Sequence, residues 1–365
     1  MKNQIVLFFF LFSAFLIGCA EKSDQNSESD SKTEISKSDV TTHVGELFEG
    51  MIKTMRIELD TLETSFNIFQ NEPSTENLET IQSEWKELAT TIQQATFLNL
   101  GPIQTKYGFL PINYWPVNSV KIEEVLESDQ ELNDEFMSTA GNSIKGVWAL
   151  EDLLFDHGKT PEEMLKEFDG SKGNQRMAFA RAQVDYLKGR TVVLEEMWAE
   201  YKPAFSANEG SGTSEPFSLL INRITSQLES IKNESLAKPM GLSLGGEPAP
   251  ALTKGFESRS GMLMITSELT AAQLLFNSEK GKVSLAQLIL SRGNDTDLSN
   301  RINKKFDEAR EIAESFEIPL SKAVVDQPEK VRKLHAAVQD LVVLFKTEAT
   351  SVLGVTITFN DMDGD

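Results

Sequence analysis

The chain has 365 residues, of which 40% are hydrophobic and 25% charged, and its formal net charge is −21. This length is enough for one large or two medium domains with a substantial core. The acidic balance argues against nucleic acid as a partner, because phosphate binding needs clustered Lys and Arg side chains.

The first nineteen residues have the pattern of a bacterial export signal. Lys2 is followed by an almost unbroken apolar run over residues 5–17, which is too short to span a membrane and suits a signal-peptide core. The run ends in the sequence LIGC, which resembles the bacterial lipobox, and Cys19 is the only cysteine of the chain. We therefore predict a signal peptide over residues 1–18 and lipidation of Cys19, which would attach the mature protein to a membrane.

A polar segment separates this anchor from the first periodic sequence. Residues 19–42 are rich in Ser, Asp, Glu, Lys and Asn and offer almost nothing to bury, so we predict a disordered tether. From residue 43 onward apolar residues recur at three-four spacing, which predicts helices over 43–70 and 75–95.

Residues 99–120 interrupt the helical pattern with several prolines and glycines. The same stretch carries large aromatic side chains, Tyr107 and Trp115 among them. A long aromatic loop of this kind either contributes to function or packs over the domain as a lid, and the sequence leaves both interpretations open.

The segment 141–156, GNSIKGVWALEDLLFD, has the apolar rhythm of one helix but breaks two local rules. Glu151 falls within its apolar stripe, where a carboxylate is costly unless a partner satisfies it. Gly146 would lie inside the helix, at a cost of about 1 kcal/mol relative to Ala. Such violations mark function or close packing. As the partner of Glu151 we nominate Arg181, from the long helix predicted over 173–201; the alternative is a solvated arginine.

A cluster of Gly, Ser and Pro divides the chain near its middle. We place a linker at residues 206–216, between an N-terminal half, 43–205, and a C-terminal half, 217–365. Helical periodicity returns over 217–232, 295–316 and 328–353. No convincing run of alternating strand residues occurs, so the predicted fold class is all-α, with two helical-bundle-like halves.

Gly146 and Glu151 have the spacing of the motif Gly-x-His-x-x-Glu, with Trp148 in the place of the histidine. This motif is the signature of imelysin-like proteins, bacterial envelope proteins linked to iron uptake and nominally grouped with metallopeptidases. The Trp-Pro segment within 99–120 and the segment 256–260 also resemble parts of that family. The resemblance implies an imelysin-type helical fold.

The resemblance also implies where a ligand would bind. Glu151 is the remaining candidate metal ligand, since the indole of Trp148 offers only a hydrogen-bond donor. No catalytic residue is predicted, because the three histidines are dispersed and no His-Glu-x-x-His sequence occurs. The predicted ligand-binding residues are Gly146, Trp148, Glu151, Tyr107, Trp115, Arg181, Glu257 and Ser260.

The resulting hypothesis is a lipid-anchored, imelysin-like binding protein without a catalytic role. The resemblance implies a place in the bacterial cell envelope, on the outer membrane facing the periplasm or at the cell surface, and a role in iron or haem acquisition. Iron or haem would be the ligand, and envelope proteins of iron acquisition would be the partners. The alternatives are a structural or assembly lipoprotein that has lost ligand binding, and a metallopeptidase.

Overall fold

The computed structural model describes residues 35–358 apart from 209, 211, 243–244, 279–281 and 294–295. Within that part every regular element is a helix and no strand occurs, which confirms the predicted all-α class. None of the described helices combines the length and apolar character that a membrane span requires. The predicted signal peptide, 1–18, and the lipidation site Cys19 lie outside the described residues.

As far as Ser206 the described chain forms helices α1 to α8, with 3₁₀ turns at Thr96–Leu98 and Asn142–Ile144. The long helix α1 packs along both α2 and α8, and α6 lies against α8. The bounds are α1 Lys37–Asn71, α2 Thr75–Ala95, α3 Gly101–Thr105, α4 Ser119–Leu126, α5 Asp134–Thr139, α6 Val147–Leu154, α7 Pro161–Lys166 and α8 Gly170–Ser206.

The remainder forms helices α9 to α15, in which α12 packs against both α10 and α14, and the rings of Phe276, Phe306 and Phe345 form one cluster. Two helices widen into π-helical segments, at Ile231–Ala237 and Leu344–Ala349, and a 3₁₀ turn occupies Pro250–Leu252. The bounds are α9 Pro216–Ser230, α10 Gly261–Asn277, α11 Leu285–Gly293, α12 Thr296–Glu314, α13 Leu320–Asp326, α14 Pro328–Val343 and α15 Thr350–Leu353.

The first helix starts earlier than the sequence periodicity predicts. Ser36 caps it: its hydroxyl accepts from the Asp39 amide at 3.0 Å, and Asp39 Oδ2 accepts from the Ser36 amide at 2.9 Å. Val40, inside the segment predicted as tether, is fully buried. The predicted disordered tether 19–42 is therefore wrong at its C-terminal end, because a capping box and a buried valine extend the helix. Residues 19–34 of that segment lie outside the described residues.

The two predicted halves pack on each other. Helix α10 lies against α2, and α9 lies against both α1 and α8. Arg223 of α9 donates through Nε and Nη2 to the Thr96 carbonyl, at 3.0 and 2.7 Å. The described residues from Ile35 onward form one compact unit. Segment 206–216 joins α8 to α9, and the division into two bundle-like halves stays a prediction.

Candidate functional site

The predicted helix over 141–156 is wrong at its start. Gly146 adopts φ 89°, and α6 begins directly after it. The first amide of α6 donates to the Ile112 carbonyl at 3.0 Å, and a Cβ on Gly146 would lie 2.6 Å from that same oxygen. Only glycine combines this positive φ with so close a backbone approach. Gly146 is therefore the point where the aromatic loop meets the start of the helix. Because it precedes α6, the free-energy cost of a glycine inside a helix does not apply to it.

Gln183 of α8 fixes the backbone on both sides of this turn. Its Oε1 accepts from the Gly146 amide at 2.9 Å, and its Nε2 donates to the Ile144 carbonyl at 2.9 Å. The side chain is fully buried. Sequence reasoning missed Gln183, because one glutamine in a long helix has no periodic signal.

Trp148 fills the core where the family motif has a histidine. It is fully buried, and its Nε1 donates to Asn113 Oδ1 at 2.6 Å. Trp85 packs edge-on against it with ring centroids 5.9 Å apart, and Lys254 Nζ lies 5.8 Å from its ring. The indole is a packed core side chain and has no lone pair to offer a metal.

Glu151 is buried, as the sequence predicts, but the groups that hydrogen-bond to its carboxylate belong to a loop and not to a cationic side chain. Its Oε1 accepts from the Ser258 amide at 2.9 Å and from the Ser258 hydroxyl at 2.6 Å. Ser260 Oγ lies 2.6 Å from Ser258 Oγ, so the predicted site residue Ser260 supports Glu151 through its neighbour. Burial raises the pKa of Glu151 to about 7, although both hydrogen bonds from Ser258 lower it.

The nomination of Arg181 as the partner of Glu151 is wrong. Arg181 donates to two side chains of α1, at 2.6 and 2.9 Å. It lies two residues before Gln183, and at about 100° per residue it points to a different side of α8. Arg176 lies seven residues before Gln183 and therefore on the same face of α8, the face that packs against α6. It donates to a carbonyl of α6 at 3.2 Å.

The two aromatic residues predicted from the loop have separate positions. Tyr107 is 68% exposed, at a turn where its own φ is 56°, and lines neither cavity beside α6; its role in ligand binding stays a prediction. Trp115 is half-buried and lines a cavity together with Trp148 and Glu151. The loop is held against α6 at Ile112, well past Tyr107, which leaves the earlier turn facing solvent.

Two adjoining cavities lie beside α6 and share Ser119, Asp152 and Glu257. The inner chamber measures about 100 Å³ and is bounded further by Trp115, Trp148, Glu151, Thr253 and Phe256. The outer chamber measures about 240 Å³ and is bounded further by Asp156, His157, Lys159 and Arg176. Four predicted site residues, Trp115, Trp148, Glu151 and Glu257, thus line one cavity.

The inner chamber contains carboxyl groups with raised pKa values and one hydroxyl that has no hydrogen-bond partner among the described residues. Burial raises the pKa of Asp152, although a hydrogen bond from Ser119 at 2.5 Å lowers it. The charge of Glu257 raises the pKa of both Asp152 and Glu151. Thr253 is 1% exposed, and its Oγ1 has no hydrogen-bond partner among the described residues. Sequence reasoning missed Asp152 and Thr253; adjacency to Glu151 was the available signal for the first.

The outer chamber contains a group of potential metal ligands. One ligand atom each from Asp156, His157 and Glu257 lies within 4.8 Å of the others, the one such group of three in the described part of the chain. His157 Nδ1 is 2.9 Å from Glu257 Oε2, and Lys159 Nζ is 3.2 Å from Asp156 Oδ2. A divalent cation would compete with that ammonium for Asp156. The signal for this group was an Asp-His pair directly after the motif helix.

Comparison with known proteins gives one family and a fold. A family model described as Imelysin (Peptidase_M75) matches residues 53–347. An imelysin-like protein from Psychrobacter arcticum 273-4 is 16% identical, with 89% of this chain and 98% of that chain covered and a TM-score of 0.72. An iron-regulated protein A precursor from Parabacteroides distasonis ATCC 8503 is 12% identical, with 88% and 97% covered and a TM-score of 0.70. No curated protein matches the sequence. At these identities the likeness to solved structures shows the fold alone.

Proposed function

Because this chain belongs to the imelysin family, we propose that it is a non-catalytic binding protein of the bacterial envelope that takes part in iron acquisition. The Parabacteroides distasonis neighbour is described as an iron-regulated protein, which supports the link to iron. Of the two ligands expected from the sequence, a ferrous ion suits the outer chamber of about 240 Å³, whereas haem is too large for either chamber.

The observation that carries this proposal is the group Asp156, His157 and Glu257, with ligand atoms within 4.8 Å of one another, in the outer chamber of the cleft that the two adjoining chambers form. Imidazole and carboxylate together are ligands that Fe²⁺ accepts, and also Zn²⁺ and Mn²⁺. The motif position does not fit a metal, because Trp148 is buried and donates to Asn113. Cation capture has therefore moved, in this proposal, from the motif helix to the turn that follows it.

A ferrous titration tests the proposal. We expect calorimetry of the full chain with Fe²⁺, under anaerobic conditions, to show one site that His157→Ala and Glu257→Gln each weaken by at least about tenfold. His335→Ala is the matched control, because His335 lies on α14 and outside the cleft. Equal affinity in all four proteins would overturn the metal assignment.

The membrane anchor belongs to the same proposal and rests on the sequence of residues 1–19. Lipidation of Cys19 would place the cleft in the envelope, beside the membrane proteins of iron acquisition that we propose as partners. Cys19→Ser should shift the protein from the detergent phase to the aqueous phase in a phase separation. Continued partition of Cys19→Ser with membranes would contradict the anchor.

A structural or assembly lipoprotein is the second candidate function. The buried Trp148 favours it, because this residue removes the imidazole that the family motif supplies. Under this alternative neither ferrous ions nor other small ligands bind at the cleft, and His157→Ala has no effect beyond stability.

A further inference from the structure

The inner chamber brings three carboxylates together: Arg176 acts on Asp152 and His157 lies beside Glu257, but no positive charge acts on Glu151. Glu151, Asp152 and Glu257 all line it, and the charges that act on Glu151 are those of the other two carboxylates, both of the same sign as its own. No described Lys or Arg forms an ion pair with Glu151. A buried carboxylate in this position is satisfied in part by Ser258, but its charge is left without an opposite partner.

A bare metal ion does not suit this chamber. The ligand atoms of its three carboxylates do not all fall within 4.8 Å of one another, since the outer group alone meets that condition among the described residues. Much of the remaining wall consists of aromatic rings, Trp115, Trp148 and Phe256, which have no lone pairs for a metal. The chamber therefore favours a larger cation that has apolar substituents.

Two further features point to the same class of ligand. Thr253 borders the chamber, and its buried hydroxyl has no partner among the described residues, so an N–H group brought next to it would supply the missing hydrogen bond. Aromatic faces attract ammonium groups within about 6 Å. Lys254 already lies 5.8 Å from the Trp148 ring, so the half-buried Trp115 and Phe256 supply the aromatic surface that remains.

We propose that the inner chamber binds the head of a small organic ammonium, a primary amine on a short alkyl chain. The ammonium would donate to Glu151, to Glu257 and to the Thr253 hydroxyl, while its methylene groups contact Trp115 and Phe256. A volume of about 100 Å³ corresponds to roughly three water molecules of liquid, so the head has only a few heavy atoms. A longer ligand extends past Asp152 into the outer chamber. This site shares Glu257 with the ferrous site, but Glu151, Thr253 and the aromatic wall belong to it alone, and its occupancy does not require a metal.

Calorimetry of the metal-free full chain with n-propylamine tests the inference, with n-propanol as the neutral molecule of the same shape. We expect the amine to bind and the alcohol not to. Glu151→Gln removes the charge and Trp115→Ala removes the aromatic wall; each should weaken amine binding by about tenfold.

Nα-acetyl-lysine amide distinguishes two possible sources of the ammonium group. Tighter binding of this probe than of propylamine assigns the site to a lysine side chain of a partner, and weaker binding assigns it to a free amine.

Glu58→Gln is the matched control, because burial also raises the pKa of Glu58 to about 7 but this residue lies between α1 and α2, outside the chamber. It should bind the amine as the wild type does. Equal binding of amine and alcohol, or wild-type affinity in both Glu151→Gln and Trp115→Ala, overturns the inference. Since the protein is free of metal, failure here leaves the ferrous proposal intact, and failure of the ferrous titration leaves this one intact. Circular dichroism identifies a variant that has not folded, and Trp115, half-buried at the rim, is the safer of the two positions.

Discussion

Glu151 depends on a segment more than one hundred residues away, because both donors that hold it belong to Ser258. Glu151→Ala would leave these buried donors without an acceptor, at a cost of about 1–3 kcal/mol in the free energy of unfolding. Glu151→Gln keeps an acceptor oxygen in place and should cost less. Chemical denaturation at pH 7 measures both values.

Glu162→Ala is the control for this pair, because Glu162 is exposed in the first turn of α7. Its effect should stay within about 0.5 kcal/mol. If Glu151→Ala unfolds at the same denaturant concentration as the wild type, the hydrogen bonds from Ser258 contribute nothing to stability and this assignment of them is wrong.

Gly146 gives a second prediction at this scale. Gly146→Ala would place a methyl group 2.6 Å from the Ile112 carbonyl at a φ of 89°, so we expect a loss of about 2 kcal/mol or more. Gly189→Ala is the matched change, since Gly189 is exposed in α8 and its Cβ would meet nothing within 4 Å. That variant should be neutral or stabilised by up to about 1 kcal/mol. Equal melting temperatures of the two alanine variants would contradict the close approach at Gly146.

Single residues show how far the sequence predicts the site. The burial of Glu151 follows from its place in an apolar stripe, and Trp115, Trp148 and Glu257 follow from the motif resemblance. The partner of Glu151 does not follow, because Ser258 comes from a loop whose path depends on tertiary packing. The role of Thr253 could not be predicted from the sequence either, since the lack of a hydrogen-bond partner for its hydroxyl depends on the folded structure around it.

The long helices were predictable because each buries one continuous stripe. The prediction over 75–95 matches α2. The predictions over 43–70 and 173–201 correspond to α1 and α8, which are each somewhat longer at both ends in the structure. The short elements were not predictable in the same way. Helix α6 is only two turns long, and its start is set by Gly146 and by contacts with Ile112, which periodicity does not register.

The seam between α1 and α2 gives a pH-dependent prediction at the scale of elements. Burial raises the pKa of Glu58 from 4.5 to about 7, while a hydrogen bond from Thr91 lowers it and the charge of Glu87 raises it. The folded state therefore binds more protons than the unfolded state between these two values, so stability falls as pH rises from about 4.5 to about 7. Glu58→Gln removes this penalty.

We expect Glu58→Gln to be more stable than the wild type at pH 8, by ~1 kcal/mol after solvent screening of a partly exposed group, and to lose most of that advantage at pH 5. Paired denaturation curves at the two pH values measure the difference. An advantage that is the same at both would show that Glu58 does not titrate between α1 and α2.

On the scale of the whole molecule, contacts between the predicted halves decide whether they unfold together. Helix α10 packs on α2, and Arg223 reaches across to the Thr96 carbonyl. The buried Glu151 of the N-terminal half accepts from Ser258 of the C-terminal half. Such buried polar contacts lose their partners if one half unfolds alone, which favours a single cooperative transition.

The distribution of tryptophan makes this cooperativity measurable. All four tryptophans, at positions 85, 115, 148 and 198, precede the segment 206–216, so their fluorescence reports on the N-terminal half and, for Trp115 and Trp148, on its contact with the other half. Leu341→Ala leaves a cavity in the core of the C-terminal half, since Leu341 is fully buried on α14. It should lower the free energy of unfolding by about 2–5 kcal/mol. With cooperative unfolding, the midpoint by fluorescence shifts as far as the midpoint by far-ultraviolet circular dichroism. A fluorescence midpoint that stays at the wild-type value, while part of the dichroism signal melts earlier, would show two halves that unfold independently.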